Sequence, residues 1–390
     1  MILQNNIEEL PNNESGIAQK RNAFTSCFAR IQSSLPIHFK ICLCIALVSL
    51  TIHLTCSFIP SFSDFFTRYI ASFFRTVTAT VTGIFPFSLA ETIILLMPIV
   101  LVIYFSLSYK HYIKNNNPIK SLVFGVISFV LALYSFAVFT FLTGYSNSML
   151  DKKLNIDKAP VSAIELYDTA IKVNNELTKL TESTQYDTEN FSDMQYSIRE
   201  MSDKLLESYK NISEKYLFLH NINAQIKPVA LSEAMSYTHI TGVYTFFTCE
   251  ANIDAAFPDF TLPFTSAHEF AHQRGIAREN EANFIAFLVC INSDDEYIRY
   301  SGYMNMLQYL QNALYSADRE LYSDLYNKIS PSVKKEFQAY SLFFNKYRDS
   351  SASKVSGAIN DTYLKLQGTE GTKSYGMVVD LAVAYYKNSD

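Results

Sequence analysis

Three stretches of the chain consist almost wholly of apolar side chains. ICLCIALVSLTIHLTCSFIP, from Ile41 to Pro60, contains no Asp, Glu, Lys or Arg, and TIILLMPIVLVIYFSLSY (92–109) and SLVFGVISFVLALYSFAVFTFL (121–142) meet the same test. About 20 apolar residues in a helix cross a hydrocarbon core, so each stretch is expected to be a transmembrane helix. The first follows a polar leader that runs to Lys40 and precedes no small-x-small cleavage site, which predicts an uncleaved anchor. The second opens at Ser88-x-x-Glu91, a pattern able to cap the free amides of a helix start. Between the first two, FFTRYIASFF sets Phe65, Phe66, Tyr69, Ile70, Phe73 and Phe74 at helical spacing around Arg68, with Arg75 next, and predicts a helix lying in the membrane interface.

Beyond Gly144 the pattern changes. Ser162-x-x-Glu165 opens the periodic stretch IELYDTAIKVNNELTKL, and a second runs from Phe191 to about Leu219; both predict amphipathic helices. GVYTFFTCEANI (242–253), rich in β-branched and aromatic residues, predicts an extended strand. YMNMLQYLQNALY, PSVKKEFQAYSLFFNKY and KSYGMVVDLAVAYY are helical again. The expected fold class is therefore mainly α, with three N-terminal transmembrane helices followed by a mostly helical domain that carries a small β element. The boundaries are a leader over 1–40, a membrane domain over 41–143 and a soluble domain over 144–390.

Composition alters this picture little. The formal charge of −5 averages an apolar half and a polar half, and the polar half has no basic excess suited to nucleic acid. Cys27, Cys42, Cys44 and Cys56 fall in or near the apolar part. Cys249 and Cys290 sit in apolar contexts that suit small buried thiols, though in an exported domain they are also able to pair. His53, alone in the first span, is expected to pack between helices. Charge does set orientation. Lys110, Lys114 and Lys120 lie between spans two and three with no acid among them, and the leader carries Lys20, Arg21, Arg30 and Lys40, so both belong in the cytoplasm. With three spans, the domain after Gly144 is then extracytoplasmic.

The chemistry lies in AHEFAHQRGIARENEANF (267–284). On a helix, His268 and His272 share one face while Glu269 projects beside them. H-E-x-x-H is the pattern by which two histidines hold zinc and the glutamate serves as general base for hydrolysis. Ser266 and Glu269 also make an S-x-x-E capping pattern, in which Glu269 would serve only a helix start. Against that, Ala267, Phe270 and Ala271 suit a buried helix, and Gly275 supplies a stop after which the chain can return. Glu279 and Glu281 both follow as sources of a third ligand. The metzincin pattern would place a third histidine where Arg278 stands, and a protonated guanidinium offers no lone pair.

ENEAN, from Glu279, resembles the E-x-x-A-D element of gluzincin peptidases. That resemblance implies Glu279 as the third ligand, with Glu281 a solvated helix-face charge. Asn283 stands where the family has an acid that supports a ligand, so that supporting role does not carry over. Most of the chain also resembles the bacterial "domain of unknown function 3810" family, through the three spans and the stretches TGVYTFFTCEANI, LPFTSAHEFAHQRGIARENEANFIAFLVC, YSGYM and NDTYLKLQGTEGTKSYGMVVDLAVAYY. Together these imply a zincin-like domain and a membrane-anchored zinc metallopeptidase: Zn2+ on His268, His272 and Glu279, Glu269 as base, and a peptide or protein substrate laid along GVYTFFTCEANI. Tyr300, Tyr303 and Tyr375 are candidates to stabilise the oxyanion. The alternative is a noncatalytic membrane receptor or envelope scaffold that keeps a zincin-like fold.

Orientation is testable at once: a reporter fused after Gly144 is expected to be active outside the cell, and a 110–120 loop that accepts an external label would reverse the assignment.

Overall fold

A computed structural model describes residues 35–113 and 118–388. The leader residues Lys20, Arg21, Cys27 and Arg30, Lys114, and the side chains of Lys110, Lys120 and Tyr375 lie outside the described residues. The protein is mainly helical. Helices α1 (Ile37–Phe58), α4 (Leu89–Ile113) and α5 (Pro118–Thr140) contain apolar runs of 22, 19 and 19 residues, each long enough to cross a membrane. The chain divides into two units, residues up to 48 with 104–132, and 49–103 with 133 onward. In the first, Phe39 packs its ring on Phe124. The second holds the helix ends near Phe58, Leu89 and Thr140 together with the whole polar domain. There His53 Nδ1 lies 3.1 Å from the Tyr134 hydroxyl of α5, so the lone span histidine has a partner that the sequence reading did not assign.

Between α1 and α4 the chain forms α2 (Pro60–Phe65), a π-helical turn over Phe66–Ala71, and α3 (Ser72–Thr82). The predicted apolar face divides in two. Phe65, Tyr69, Phe73, Val77 and Val81 form an exposed ridge, whereas Phe66 is buried with Phe139 packed against it. The opposite ridge, Ser63, Thr67, Ala71, Arg75 and Ala79, is buried. Both ridges repeat every four residues, as the rows on a helix surface do. Small and polar groups thus face inward and aromatic groups outward, the reverse of a helix on a water-soluble core.

The domain is built on α6 (Ala163–Leu180), which opens at a complete Ser162–Glu165 capping box and buries Leu166, Ala170, Val173 and Leu177 as one stripe. α7 (Ile198–Lys215) follows. Three short strands, β1 (Lys227–Pro228), β2 (Gly242–Thr245) and β3 (Glu250–Ile253), make a sheet in the order β1-β3-β2. GVYTFFTCEANI is therefore a hairpin and not one strand. Cys249, at φ 52°, and the Thr245–Thr248 hydroxyl contact of 2.6 Å turn the chain between β2 and β3. Helices α8 (Leu262–Gln273), α9 (Glu279–Ile291), α10 (Glu296–Ala317), α11 (Arg319–Lys328), α12 (Pro331–Asn345), α13 (Ser351–Leu366) and α14 (Val378–Lys387) complete it. α8 and α9 pack against each other in the core, and α10 packs along α6. Cys249 and Cys290 are both buried and free.

Buried charge joins the domain to the start of α4. The Glu250 carboxylate accepts the amides of Leu89 (3.2 Å) and Ala90 (2.8 Å), and pairs with Lys227, whose ammonium also donates to the Thr82 carbonyl at 2.8 Å. At the Ser88-x-x-Glu91 pattern, Ser88 Oγ accepts the Glu91 amide, but the Glu91 carboxylate turns outward to the amides of Ala230 and Leu231. Half of the predicted cap forms; the other half has become a bond to the domain.

Removing one member of a buried pair strands the other charge, at about 3–5 kcal/mol. Glu250→Ala is therefore expected to lower stability in detergent by that order, and the double variant Lys227→Met/Glu250→Gln to recover part of it. Equal denaturation midpoints for Glu250→Ala and the parent protein would show that the pair is not structural.

Candidate metal centre

α8 begins at Leu262, with Pro263 in its first turn, where the missing proline amide costs no helical bond. Every residue from Leu262 to Gln273 is buried. Ser266 and Glu269 are thus mid-helix, and the capping pattern does not act: Ser266 Oγ has no hydrogen-bond partner. The helix ends in a Schellman turn. Gly275, at φ 93°, directs its amide to the His272 carbonyl (2.9 Å), and the Ile276 amide reaches Ala271 O (3.1 Å). After the turn α9 packs on α8, and Glu279, its first residue, meets the histidines.

His268 Nε2 and His272 Nε2 are 2.9 Å apart, and Glu279 Oε2 lies 3.1 Å from the first and 3.3 Å from the second. The imidazoles stand edge to face at 86°. His272 Nδ1 is 2.7 Å from the Ile276 carbonyl, so the turn that ends the helix also orients this ring. His268 Nδ1 is buried without a partner. Beside them, the Glu269 carboxylate accepts the Tyr244 amide of β2, while its Oε2 is buried with no partner. Gly242 makes that approach possible: a Cβ there would stand 2.7 Å from Glu269 Oε1 and from Thr265.

Burial opposes charge throughout this cluster, but its members answer one another. Burial would lower His272; Glu279 beside it overrides this and pushes it up to about 9. Burial would raise Glu279, yet His272 and His268 hold it far below the usual carboxylate range. Glu269 is raised, chiefly by burial, with the two histidines pulling the other way. Two nitrogens and one carboxylate oxygen meeting at a point form a donor set that fits a divalent cation, and all three ligand atoms lie within 4.8 Å of one another.

Glu281 takes no part. It is buried, contrary to the expected solvated charge, because Arg278 Nη1 donates to it at 3.0 Å and the Leu150 amide at 2.9 Å. Arg278 also donates to the carbonyls of Tyr145 and Asn147, tying the start of α9 to the segment after α5. Of the tyrosine candidates, Tyr300 bonds Glu336 and Tyr186, and Tyr303 packs on Phe287, so neither joins the ligands. Two others do approach. Tyr309 of α10 bonds Asn283, feels the Glu279 charge, and is pushed by burial up to about 12, so its phenol keeps its proton. Tyr363 of α13 bonds Tyr145 and also feels Glu279. Among 26 tyrosines, nothing in the local sequence singles these out.

The family model described as protein of unknown function (DUF3810) matches residues 66–383. The chain belongs to the DUF3810 family. The match opens at the π-helical turn and runs into α14, so α3, α4, α5 and the metal centre fall within one family unit. No curated protein and no solved structure matches this DUF3810 chain.

The geometry separates the two glutamates. Glu279→Gln is expected to remove most bound metal while leaving the fold intact. Glu281→Gln should keep the metal but lower stability, because it weakens the pairing with Arg278. Metal analysis with thermal unfolding of both variants checks this, and the reverse metal contents would move the third ligand to Glu281.

Proposed function

We propose that this DUF3810 protein is a membrane-anchored, zincin-like zinc metallopeptidase that hydrolyses peptide bonds at the external membrane face. The observation that carries this reading is the convergence of His268, His272 and Glu279 next to a carboxylate that is not itself a ligand. Three protein donors leave a position for water, as catalytic zinc sites do and four-ligand structural sites do not. Bound zinc supplies a Lewis acid that polarises the scissile carbonyl and acidifies water.

The residues of the chain do the rest. Glu269 Oε2, buried and without a partner, accepts a proton from the attacking water. The water oxygen bonds the carbonyl carbon, the C–N bond breaks, and both water protons pass by way of Glu269 to the nitrogen, leaving one carboxylate and one ammonium. Tyr244 N–H holds the other side of the carboxylate and so fixes the direction in which Oε2 faces. β2, an edge strand with Val243 exposed, offers main-chain groups to an extended substrate. The Tyr309 phenol, protonated and near Glu279, is suited to donate to a developing oxyanion.

One observation favours the scaffold alternative. His268, His272 and Glu279 are only 8%, 5% and 8% exposed, so substrate entry needs some opening of the site. Glu269→Gln separates the readings. It keeps an acceptor for Tyr244 N–H, stands mid-helix with no cap to lose, and removes the base. The expected outcome is a normal fold, near-normal zinc and a loss of about 10²–10⁴-fold or more in peptide cleavage. If the variant supports every cellular phenotype of the parent, the protein acts as a scaffold.

A further inference from the structure

The sequence places the histidine motif far from the spans, 126 residues after the third of them ends at Leu142. The structure brings it back. α5 ends at Thr140, and the ring of the next residue, Phe141, stands edge-on to His272 with centroids 5.7 Å apart. The same ring meets Tyr244 of the edge strand at 5.2 Å and Tyr145 at 5.7 Å. One aromatic side chain thus separates a metal-site ligand, and the strand beside the base, from the end of a membrane helix.

Two further contacts hold this proximity. Arg75, on the buried ridge of α3, donates to Thr140 O at the end of α5 (3.1 Å) and to Arg274 O at the end of α8 (3.4 Å). The opposite ridge of the same element is the apolar row Phe65, Tyr69, Phe73, Val77 and Val81, continued by exposed Ile84, Phe85 and Phe87. α13 also carries exposed Val355, Ile359 and Leu366. Its end lines a cavity of about 600 Å³ with His53 and Ser57 from the end of α1 and Pro60 from the start of α2. Exposed apolar rows on elements that adjoin membrane helix ends are stable in the headgroup and acyl boundary and costly in water.

Resting on the metallopeptidase reading, we infer that the substrate is a polypeptide anchored in the same bilayer and cut in the segment next to its anchor. A site at the bilayer surface meets such segments by diffusion in two dimensions, already extended beside β2. A soluble protein would have to bring an unfolded loop down to the headgroup layer.

The chain has no tryptophan, so single substitutions report depth without any activity measurement. Full-length Val243→Trp, on the exposed edge strand, and Tyr326→Trp, on α11 against α6 and α10, are reconstituted in phosphatidylcholine vesicles with headgroup-labelled quencher lipid; Phe246→Trp replaces the first if it misfolds. Strong quenching of the edge-strand reporter and little of Tyr326→Trp is expected; equal quenching overturns the placement. The parent protein and Glu269→Gln are then given a degenerate peptide library, once in solution and once as a long external segment on a single-span anchor. Cleavage confined to within roughly ten residues of the bilayer, the reach of a chain extended at about 3.3 Å per residue, supports the inference. Equal cutting of the soluble library, or cuts scattered along the anchored one, overturns it and leaves the peptidase standing. No Glu269-dependent cutting of either library removes the peptidase reading, and the inference with it.

Discussion

The left-handed turn at Gly275 is the constraint on which the cluster of His268, His272 and Glu279 depends. A side chain there would be strained at φ 93° and would meet Arg75 Nη2 at 2.6 Å. With glycine, three things follow from one turn. α9 packs on α8 so that Glu279 meets both histidines; the Ile276 carbonyl receives His272 Nδ1; and room is left above the turn for the Arg75 guanidinium. A second close approach adds to the first: a Cβ on Gly144, just after α5, would stand 2.8 Å from Gly275 O. The geometry of His272 and Glu279 and the packing against the segment after α5 are therefore set at the same place in the backbone.

Arg75 shows how a buried cation is tolerated there without a carboxylate. It is 1% exposed, and its two Nη nitrogens donate to the carbonyls of Thr67, Thr140 and Arg274, while Nε is buried without a partner. Thr140 and Arg274 close helices α5 and α8, whose C-termini carry partial negative charge. Lys227 and Glu250 solve the complementary problem at the opposite pole, since the start of α4 presents free amides to the Glu250 carboxylate. The domain is thus bonded to one helix end of each polarity. Such bonds are strongest where water is scarce.

Much of this was legible in the sequence, and the rest fails for identifiable reasons. The apolar runs mark three helices because length and absence of charge suffice for them. Ser162 and Glu165 form the cap their spacing predicts, since Glu165 Oε2 holds the Ser162 amide while Lys387 takes only Oε1. The same spacing misleads at Ser266 and Glu269, where Pro263 has already begun the helix, and at Glu91, whose carboxylate bonds the amides of Ala230 and Leu231 instead. Local pattern cannot report a partner about 140 residues away. It also cannot show that Glu281 is buried, because its burial depends on Leu150 and on an Arg278 that is itself anchored to Tyr145 and Asn147. Phe141, Gly242 and Tyr309 are ordinary in sequence and become site residues only when the chain folds back.

The most telling disagreement concerns polarity. A histidine motif 126 residues past the last span, inside a polar domain, reads as remote from the bilayer, and the domain's composition supports that. Composition, however, averages over a surface, while proximity is decided by single contacts. The inverted element from Pro60 to Thr82 supplies them: on its inner ridge Ser63 and Arg75 donate to the carbonyls of Thr143 and Arg274, and its outer ridge exposes Phe65, Tyr69 and Phe73. An exposed aromatic row of that kind is costly in water and is stable in the boundary of a bilayer. The contacts of this element with the Arg274 carbonyl and with the end of α5, where Phe141 meets His272, mean that the position of the candidate metal centre depends in part on a helix that contributes no ligand to it.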